Sequence, residues 1–176
     1  MKKENFLRKL WKQGKISLVD PSEEISLSYL QKADNCLSAA KILLQNLLFE
    51  NATAEAYYAM YNALLALLFK VGIKSGNHAA SISLFGLLFE EKELESSIVS
   101  AKEERIDKQY YVETQQLTKV SEENCHALVK SSEVFLLKIK LIKGNLNNEG
   151  IDGLREIFSV KIERNPKQGS TGLVQG

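Results

Sequence analysis

Three tyrosines and a histidine stand out in the sequence as side chains that could do chemistry. Tyr57, Tyr58 and Tyr61 lie close together, and His78 follows a glycine turn further along the chain. Imidazole exchanges a proton near neutral pH because its pKa is about 6.5, whereas a phenol, with a pKa of about 10, is a weak base there. Two interpretations stay open: these rings form the core and an interface, with His78 buttressing the bundle, or they line a binding site.

The number of histidines limits the metal chemistry that the chain can support. Glu123 and His126 have the Glu-x-x-His spacing of di-iron helical bundles, but such a centre needs two of these pairs and further glutamates. The sequence contains only His78 and His126, so a second pair is absent. Cys125 beside His126 does not complete the four ligands of a zinc site. We therefore expect no metal and no cofactor, and we find no Walker-type phosphate loop.

The helix that carries the tyrosines is apolar around most of its circumference. A surface helix has one apolar stripe and one polar face. Here large apolar side chains and alanines from Ala56 to Val71 leave almost no polar face. Such a helix has to be covered on several sides, so it belongs at the centre of a bundle or at a subunit interface. Gly72 should end it, and Asn77 should cap the next helix.

The remaining segments predict an all-α fold, an up-and-down bundle of four or five helices. The two prolines lie near the ends of the chain, which leaves the middle free for long helices. A helical domain is expected over residues 1–145, with a short first helix over 4–13 and the core bundle over 21–143. A flexible C-terminal extension, partly disordered, is expected over 146–176. Within it, residues 151–162 suit either a short helix or a strand.

Capping residues place the starts of three of these helices. Asp20, followed by Pro21 at the first helical position, is the expected start of the first long helix. Asn51 is the expected cap of the tyrosine-rich helix. Ser121, followed by two glutamates, is the expected cap of a long final helix.

Bulk composition excludes a strong general attraction to nucleic acid or membrane. The chain has 176 residues, 44% of them apolar, and a formal net charge of +1. A local patch is still enough for RNA binding. Two cysteines fit a reducing cytoplasm better than a disulfide framework. The basic N-terminus lacks the apolar core and cleavage site of a signal peptide, and no apolar run is long enough to span a membrane.

Four stretches of the chain resemble the HEPN domain family (higher eukaryotes and prokaryotes nucleotide-binding). They are FLRKLWKQGKIS, LQKADNCLSAAKILL, AYYAMYNALLALLFKVGIKSGNHAASISLF and EERIDKQYYV. The resemblance implies an all-α bundle that dimerises and takes part in conflict or stress systems. Many such relatives are toxins that cleave RNA, and others pair with a minimal nucleotidyltransferase that acts as an antitoxin. Catalytic members carry an arginine, four to six residues, and then a histidine, and two such motifs form one metal-independent site across the dimer.

The best match to that motif begins at Arg105 and lacks the histidine. Tyr110 and Tyr111 occupy the positions where it is expected. A tyrosine can donate a proton or hold a phosphate oxygen, but it replaces only poorly a general base that contributes ~10²–10⁴-fold in rate. Alternatively, Arg105 is a solvated arginine paired with Glu103, Glu104 or Asp107, and the tyrosines are packing residues or acceptors of AMP from the antitoxin.

These residues lead to one leading function and two alternatives. The leading prediction is a homodimeric HEPN component of a toxin–antitoxin or RNA-directed defence module, working with a nucleotidyltransferase and carrying a degenerate motif. One alternative is a non-catalytic protein that binds a nucleotide or serves as a scaffold. The other is an active endoribonuclease. The basic residues of the C-terminal part form either a solvated face or a weak RNA-facing strip.

Overall fold

A computed structural model of the protein describes residues 2–110 and 121–164, and the side chains of residues 106–110 lie outside that description. The described part is a helical bundle, which confirms the all-α prediction. It contains seven α-helices: α1 (Lys2–Lys12), α2 (Glu23–Gln45), α3 (Phe49–Val71), α4 (His78–Leu88), α5 (Lys92–Tyr110), α6 (Glu122–Asn145) and α7 (Asn148–Phe158). The four long helices α2, α3, α5 and α6 form the bundle.

The tyrosine-rich helix α3 lies at the centre of the bundle. Its side chains are buried around the whole cylinder, including Tyr57, Met60, Leu64 and Leu68, each with no exposed area. It packs against α2, α4, α5 and α6. Because neighbours within one protomer cover it, the central position, and not a subunit interface, explains its uniformly apolar sequence.

Two short strands that the sequence did not predict follow the C-terminal ends of two helices. Strand β1 (Ile16–Leu18) follows α1, and β2 (Ile73–Ser75) follows α3, and the two pair antiparallel. Ile16 and Ile73 are buried on the inner face of this pair. Each strand has only three residues, too few for an alternating pattern to be recognised in the sequence.

Gly72 makes the connection from α3 to β2 possible. It has φ of +78°, as predicted for a glycine that ends a helix. A Cβ at this position would lie 2.3 Å from Nη1 of Arg155 and 2.4 Å from the carbonyl oxygen of Val19. Both the backbone angle and the space therefore require glycine here.

Two predicted caps are confirmed and two others are placed a few residues away. Asn77 accepts from the amide of Ala80, and Ser121 accepts from the amide of Asn124, at the starts of α4 and α6. Helix α2 is capped by Ser22, which accepts from the amide of Ile25.

The prediction of Asp20 as the cap of α2 was therefore wrong. The amide of Ser22 donates to the carbonyl of Phe69, and this anchor places the helix start two residues later than the sequence suggested. The prediction of Asn51 as the cap of α3 was also wrong, because α3 begins at Phe49 after the tight turn that joins it to α2.

The part of the C-terminal extension that the structure describes is helical and joined to the bundle. Helix α7 continues into a π-helical turn, Ser159–Glu163. Phe158 is fully buried and its ring makes an edge contact with Trp11 of α1, at 5.4 Å between centroids. Of the two alternatives left open for residues 151–162, helix or strand, the structure shows a helix that packs on the bundle. Residues 165–176 lie outside the described part.

Arg155 of α7 connects this segment to the strand pair. Its Nη1 donates to the carbonyl oxygens of Val19, Val71 and Gly72 at 2.9, 2.9 and 3.1 Å. These carbonyls belong to the ends of β1 and α3, where helical partners are lacking. The arginine therefore holds the end of α3 and the strand pair together. None of the helices in the described ranges has the length and hydropathy needed to cross a bilayer.

Candidate functional site

Five residues that the sequence singled out converge where α3, α4 and α5 meet. We call Tyr57, Tyr58, Tyr61, His78 and Arg105 the tyrosine–histidine cluster. The tyrosines lie on one turn of α3, His78 is the first residue of α4, and Arg105 lies on α5. The Asn77 cap fixes where α4 begins, and so positions His78 over the tyrosines.

The imidazole of His78 is held by two tyrosines. Its ring stacks on Tyr61, with centroids 3.8 Å apart and planes at 11°. Its Nδ1 lies 2.6 Å from the hydroxyl oxygen of Tyr57. Tyr57 is fully buried and Tyr61 almost so, whereas His78 is half-buried. The imidazole therefore has a fixed orientation at the edge of the core.

Arg105 lies on the faces of Tyr57 and Tyr58. Its guanidinium carbon is 4.7 Å from the centroid of Tyr58 and 5.5 Å from that of Tyr57. Both distances are within the range of cation–π attraction. Tyr57 thus contacts both the guanidinium group and the imidazole, and it links two side chains that are far apart in the sequence.

Arg105 has no carboxylate partner in the part of the chain that the structure describes. Neither Glu103 nor Glu104 forms an ion pair with it. Its Nε is buried and has no hydrogen-bond partner there. A buried charged donor without a partner is costly, so this atom calls for an explanation, and a catalytic or binding role is one.

Burial sets the protonation of the cluster. It lowers the pKa of His78, and the charges of Arg105 and Lys102 lower it further. Burial also raises the pKa of Tyr57 and of Tyr61 above the usual value. Near neutral pH the imidazole is therefore neutral and both phenols keep their protons.

This arrangement combines two groups that phosphate chemistry uses. A guanidinium group binds phosphate oxygens through paired N–H donors. A neutral imidazole oriented by a second group can take up a proton. The sequence could select these residues one by one, but it carried no signal that Arg105 and His78 share a neighbour in Tyr57.

Three predicted site residues are not placed by the described part of the structure. Asp107 and Tyr110 lie within α5, but their side chains are outside the description, and Tyr111 lies beyond it. The match to the second half of the motif stays a prediction. Among the described residues, no group of three His, Cys, Asp or Glu side chains is arranged to hold a metal ion.

The basic residues of α6 are largely neutralised. Lys140 pairs with Asp34 at 2.6 Å, and Lys138 approaches Glu93 at 3.5 Å. Lys143 pairs with Glu23, which also binds Lys70. These pairs favour a solvated, internally compensated face over an RNA-facing strip.

Comparison with known proteins agrees with the family that the sequence resembles. The family model described as HEPN domain matches residues 26–142. A protein of Methanocaldococcus jannaschii named as a putative toxin is 34% identical over 125 residues, which cover 69% of this chain and 90% of that protein. A UPF0332 protein of Gloeobacter violaceus is 37% identical over 57 residues, covering 32% of this chain and 45% of the relative.

A second UPF0332 protein, from Pyrococcus horikoshii, is 35% identical over 71 residues, covering 40% of this chain and 49% of the relative. The matched region of the family model contains the four long helices of the bundle except for a few residues at the ends of α2 and α6, and every member of the tyrosine–histidine cluster. This chain belongs to the HEPN domain family.

Proposed function

We propose that this protein is the toxin-side subunit of a toxin–antitoxin or RNA-directed defence module. It acts in the cytoplasm as a homodimer, with a nucleotidyltransferase as its antitoxin partner. Membership of the HEPN family and the similarity to a relative named as a putative toxin support this role. RNA is the proposed target.

The observation that carries the proposal is the uncompensated charge of Arg105. Its guanidinium group rests on Tyr58 and Tyr57, and no described carboxylate neutralises it. Arg105 is half-buried, so an RNA phosphate would contact the exposed part of its side chain, and a hydrogen bond to a charged group contributes about 1.5–3 kcal/mol. The cation–π contacts pre-orient the guanidinium group for that anion.

The degenerate motif assigns Tyr110 or Tyr111 a role other than general base. We propose that one of them accepts AMP from the antitoxin. In that step the phenol oxygen attacks the α-phosphorus of ATP, pyrophosphate leaves, and the phenol proton is lost to solvent. We propose that the phosphate of the attached AMP competes with RNA for the guanidinium group of Arg105 and so silences the toxin.

Two measurements test this function. Growth of a host expressing the wild-type chain should slow, and growth should recover with Arg105→Ala but not with the matched control Arg164→Ala, an exposed arginine far along the chain. Intact mass after co-expression with a neighbouring nucleotidyltransferase should rise by one AMP and should not rise in the Tyr110→Phe/Tyr111→Phe variant. Unchanged growth with the wild-type chain, together with unchanged mass, would refute the module.

A second candidate function, metal-independent RNA cleavage, is favoured by the position of His78. The imidazole that the motif lacks in sequence is present beside Tyr57, which Arg105 also contacts. As base, it would take the 2′-hydroxyl proton while that oxygen attacks phosphorus and the 5′-oxygen leaves with a proton. Cleavage that is lost in both Arg105→Ala and His78→Gln, but kept in Arg164→Ala, would establish this function.

If the protein binds RNA without cleaving it and carries no AMP, the non-catalytic alternative is the correct one. In that case Arg105→Ala weakens binding and changes no covalent product. Light scattering of the purified chain measures the predicted homodimer directly, and a monomeric mass would remove the dimer from the proposal.

A further inference from the structure

A cleft of about 400 Å³ opens between the strand pair and the start of α4. We propose that it binds a phosphate group of an RNA strand or of a free nucleotide. Its lining consists of Gly14, Lys15, Ser17, Lys74, Gly76 and Asn77. We call it the strand-pair cleft. The proposal rests on the proposed function and adds to it the place where a ligand phosphate is held.

Strand register brings the polar residues of the cleft onto one face. Ser17 is paired with Lys74, and the amide of Gly76 donates to the carbonyl of Lys15 at 3.3 Å. Ile16 and Ile73 are buried on the opposite face. Because successive side chains of a strand alternate between faces, the lysines point away from the core together.

The two lysines lie diagonally across the strand pair. Lys15 is opposite Gly76, and Lys74 is opposite Ser17, so the two charged residues are diagonal neighbours at about 7–8 Å between their backbones. Like charges at this separation repel each other. An anion placed between them removes the repulsion and accepts hydrogen bonds from both ammonium groups.

Neither lysine is neutralised by a carboxylate of the described residues. No ion pair in the described ranges includes Lys15 or Lys74, in contrast to the paired lysines of α6. The hydroxyl of Ser17 adds a donor of the kind that phosphate oxygens accept. The cleft therefore offers two cations and a neutral donor with no described carboxylate paired to them.

Space for a ligand remains at both glycines. A Cβ built at Gly14 or at Gly76 meets no atom within 4 Å. Gly14 has φ of +68° and needs to be glycine for its turn, whereas Gly76 leaves room beside Lys15. The volume of about 400 Å³ lies in the range of small-molecule sites, roughly 300–1,000 Å³.

The cleft adjoins the tyrosine–histidine cluster through consecutive residues. Asn77 lines the cleft, and His78, the next residue, stacks on Tyr61. The cleft and the cluster therefore share the start of α4.

Binding of labelled single-stranded RNA to the full chain, measured by fluorescence anisotropy, tests the proposal. The variant Lys15→Gln/Lys74→Gln should bind RNA at least about tenfold more weakly than the wild-type chain. The slope of its log affinity against log salt concentration should decrease by the amount that corresponds to one or two lost phosphate contacts. The control Lys92→Gln/Lys130→Gln removes the same charge from exposed lysines on α5 and α6 that have no ion pair in the described ranges. Circular dichroism and thermal melting verify that both variants fold.

Competition with AMP and with inorganic phosphate separates the two sources of the phosphate. Displacement of RNA by AMP, lost in the Lys15→Gln/Lys74→Gln variant, identifies a nucleotide site. RNA binding that AMP does not displace, but that the same variant weakens, identifies a strand site. Equal RNA affinity of the two double variants, or no binding by the wild-type chain, would overturn the cleft.

These outcomes are independent of toxicity, cleavage and AMP transfer. If the cleft variant binds RNA normally while Arg105→Ala does not, the cleft is wrong and the proposed function stands. If the cleft variant loses binding but the wild-type chain neither slows growth nor accepts AMP, the cleft stands and the proposed function is wrong.

Discussion

Two arginines, Arg155 on α7 and Arg105 on α5, are used in opposite ways. Arg155 donates to three carbonyl oxygens at the ends of β1 and α3, so its hydrogen bonds are used within the protein. Arg105 rests on two tyrosine rings, and its buried Nε has no partner in the described part of the chain. Arg155 therefore acts within the fold, whereas we propose that Arg105, which has no carboxylate partner among the described residues, serves a ligand.

The same contrast separates the lysines. Lys140 and Lys143 on α6 are paired with Asp34 and Glu23. Lys15 and Lys74 at the strand-pair cleft have no carboxylate partner in the described ranges. Lys92 and Lys130 also have no ion pair in the described ranges, so the distinguishing feature of Lys15 and Lys74 is that they line a cleft together.

The largest effect is expected from Arg155→Ala on stability. Loss of three charge-assisted hydrogen bonds to backbone carbonyls should lower the free energy of unfolding by about 2–4 kcal/mol, because those carbonyls remain partly buried. Urea denaturation measures it, with Arg164→Ala as the exposed control. RNA affinity of the folded fraction should be unchanged, and a stability loss below about 0.5 kcal/mol would break the contrast between the two arginines.

Arg105→Ala should give the reverse pattern. Removal of an unsatisfied buried donor relieves a cost that roughly offsets the lost cation–π contacts, each about 0.5–1 kcal/mol, so unfolding should change by less than about 1 kcal/mol. Urea denaturation under the same conditions checks this value. A loss as large as that of Arg155→Ala would mean that Arg105 is a structural residue.

The protonation of His78 gives a smaller, pH-dependent effect. Burial and the neighbouring Arg105 and Lys102 lower its pKa, so the unfolded chain takes up a proton at a higher pH than the folded one. Stability contributed by the neutral imidazole is complete above about pH 6.5, and it decreases as the pH falls toward the folded pKa. Titration of the imidazole by NMR should give a pKa below 6.5, and the pKa should rise in Arg105→Ala.

His78→Gln is the control for this effect. The difference in unfolding free energy between the wild-type chain and the variant should shrink between about pH 7 and pH 5. A constant difference over that interval would show that the imidazole titrates alike in both states.

The smallest effect is expected at the compensated face. Bonds from Lys143 and Lys70 lower the pKa of Glu23, so its stabilising contribution is present above about pH 4.3 and decreases as the pH falls further. Glu23 is about half exposed, so solvent screening limits the effect of Glu23→Gln to less than about 1 kcal/mol at pH 7. Glu24→Gln, in the same helical turn, is the matched control, and RNA affinity should be unaffected by either.

Much of the fold could be predicted from the sequence because its signals are local. Asn77, Gly72 and Ser121 act through their own backbone or that of the next turn, and each is found as predicted. The start of α2 was missed because a contact with Phe69, far along the chain, decides it. The strand pair was missed because three residues per strand carry no usable period.

The candidate site could be predicted only as a set of separate residues. Tyr57, Tyr61 and His78 attract attention by type and by spacing, and the structure brings them into contact. That Arg105 reaches Tyr57 from another helix depends on how α5 packs on α3, which no local pattern encodes. Lys15 and Lys74 become neighbours only through strand pairing, so the strand-pair cleft had no sequence signal.

The most direct test of the central claim is the dissociation constant of labelled single-stranded RNA for Arg105→Ala and for Arg164→Ala, at one fixed salt concentration. The guanidinium group on Tyr58 and Tyr57 is proposed to receive a phosphate, so Arg105→Ala should bind about 10- to 100-fold more weakly, as expected for about 1.5–3 kcal/mol. Arg164→Ala should bind like the wild-type chain. Equal dissociation constants for the two variants would contradict the account.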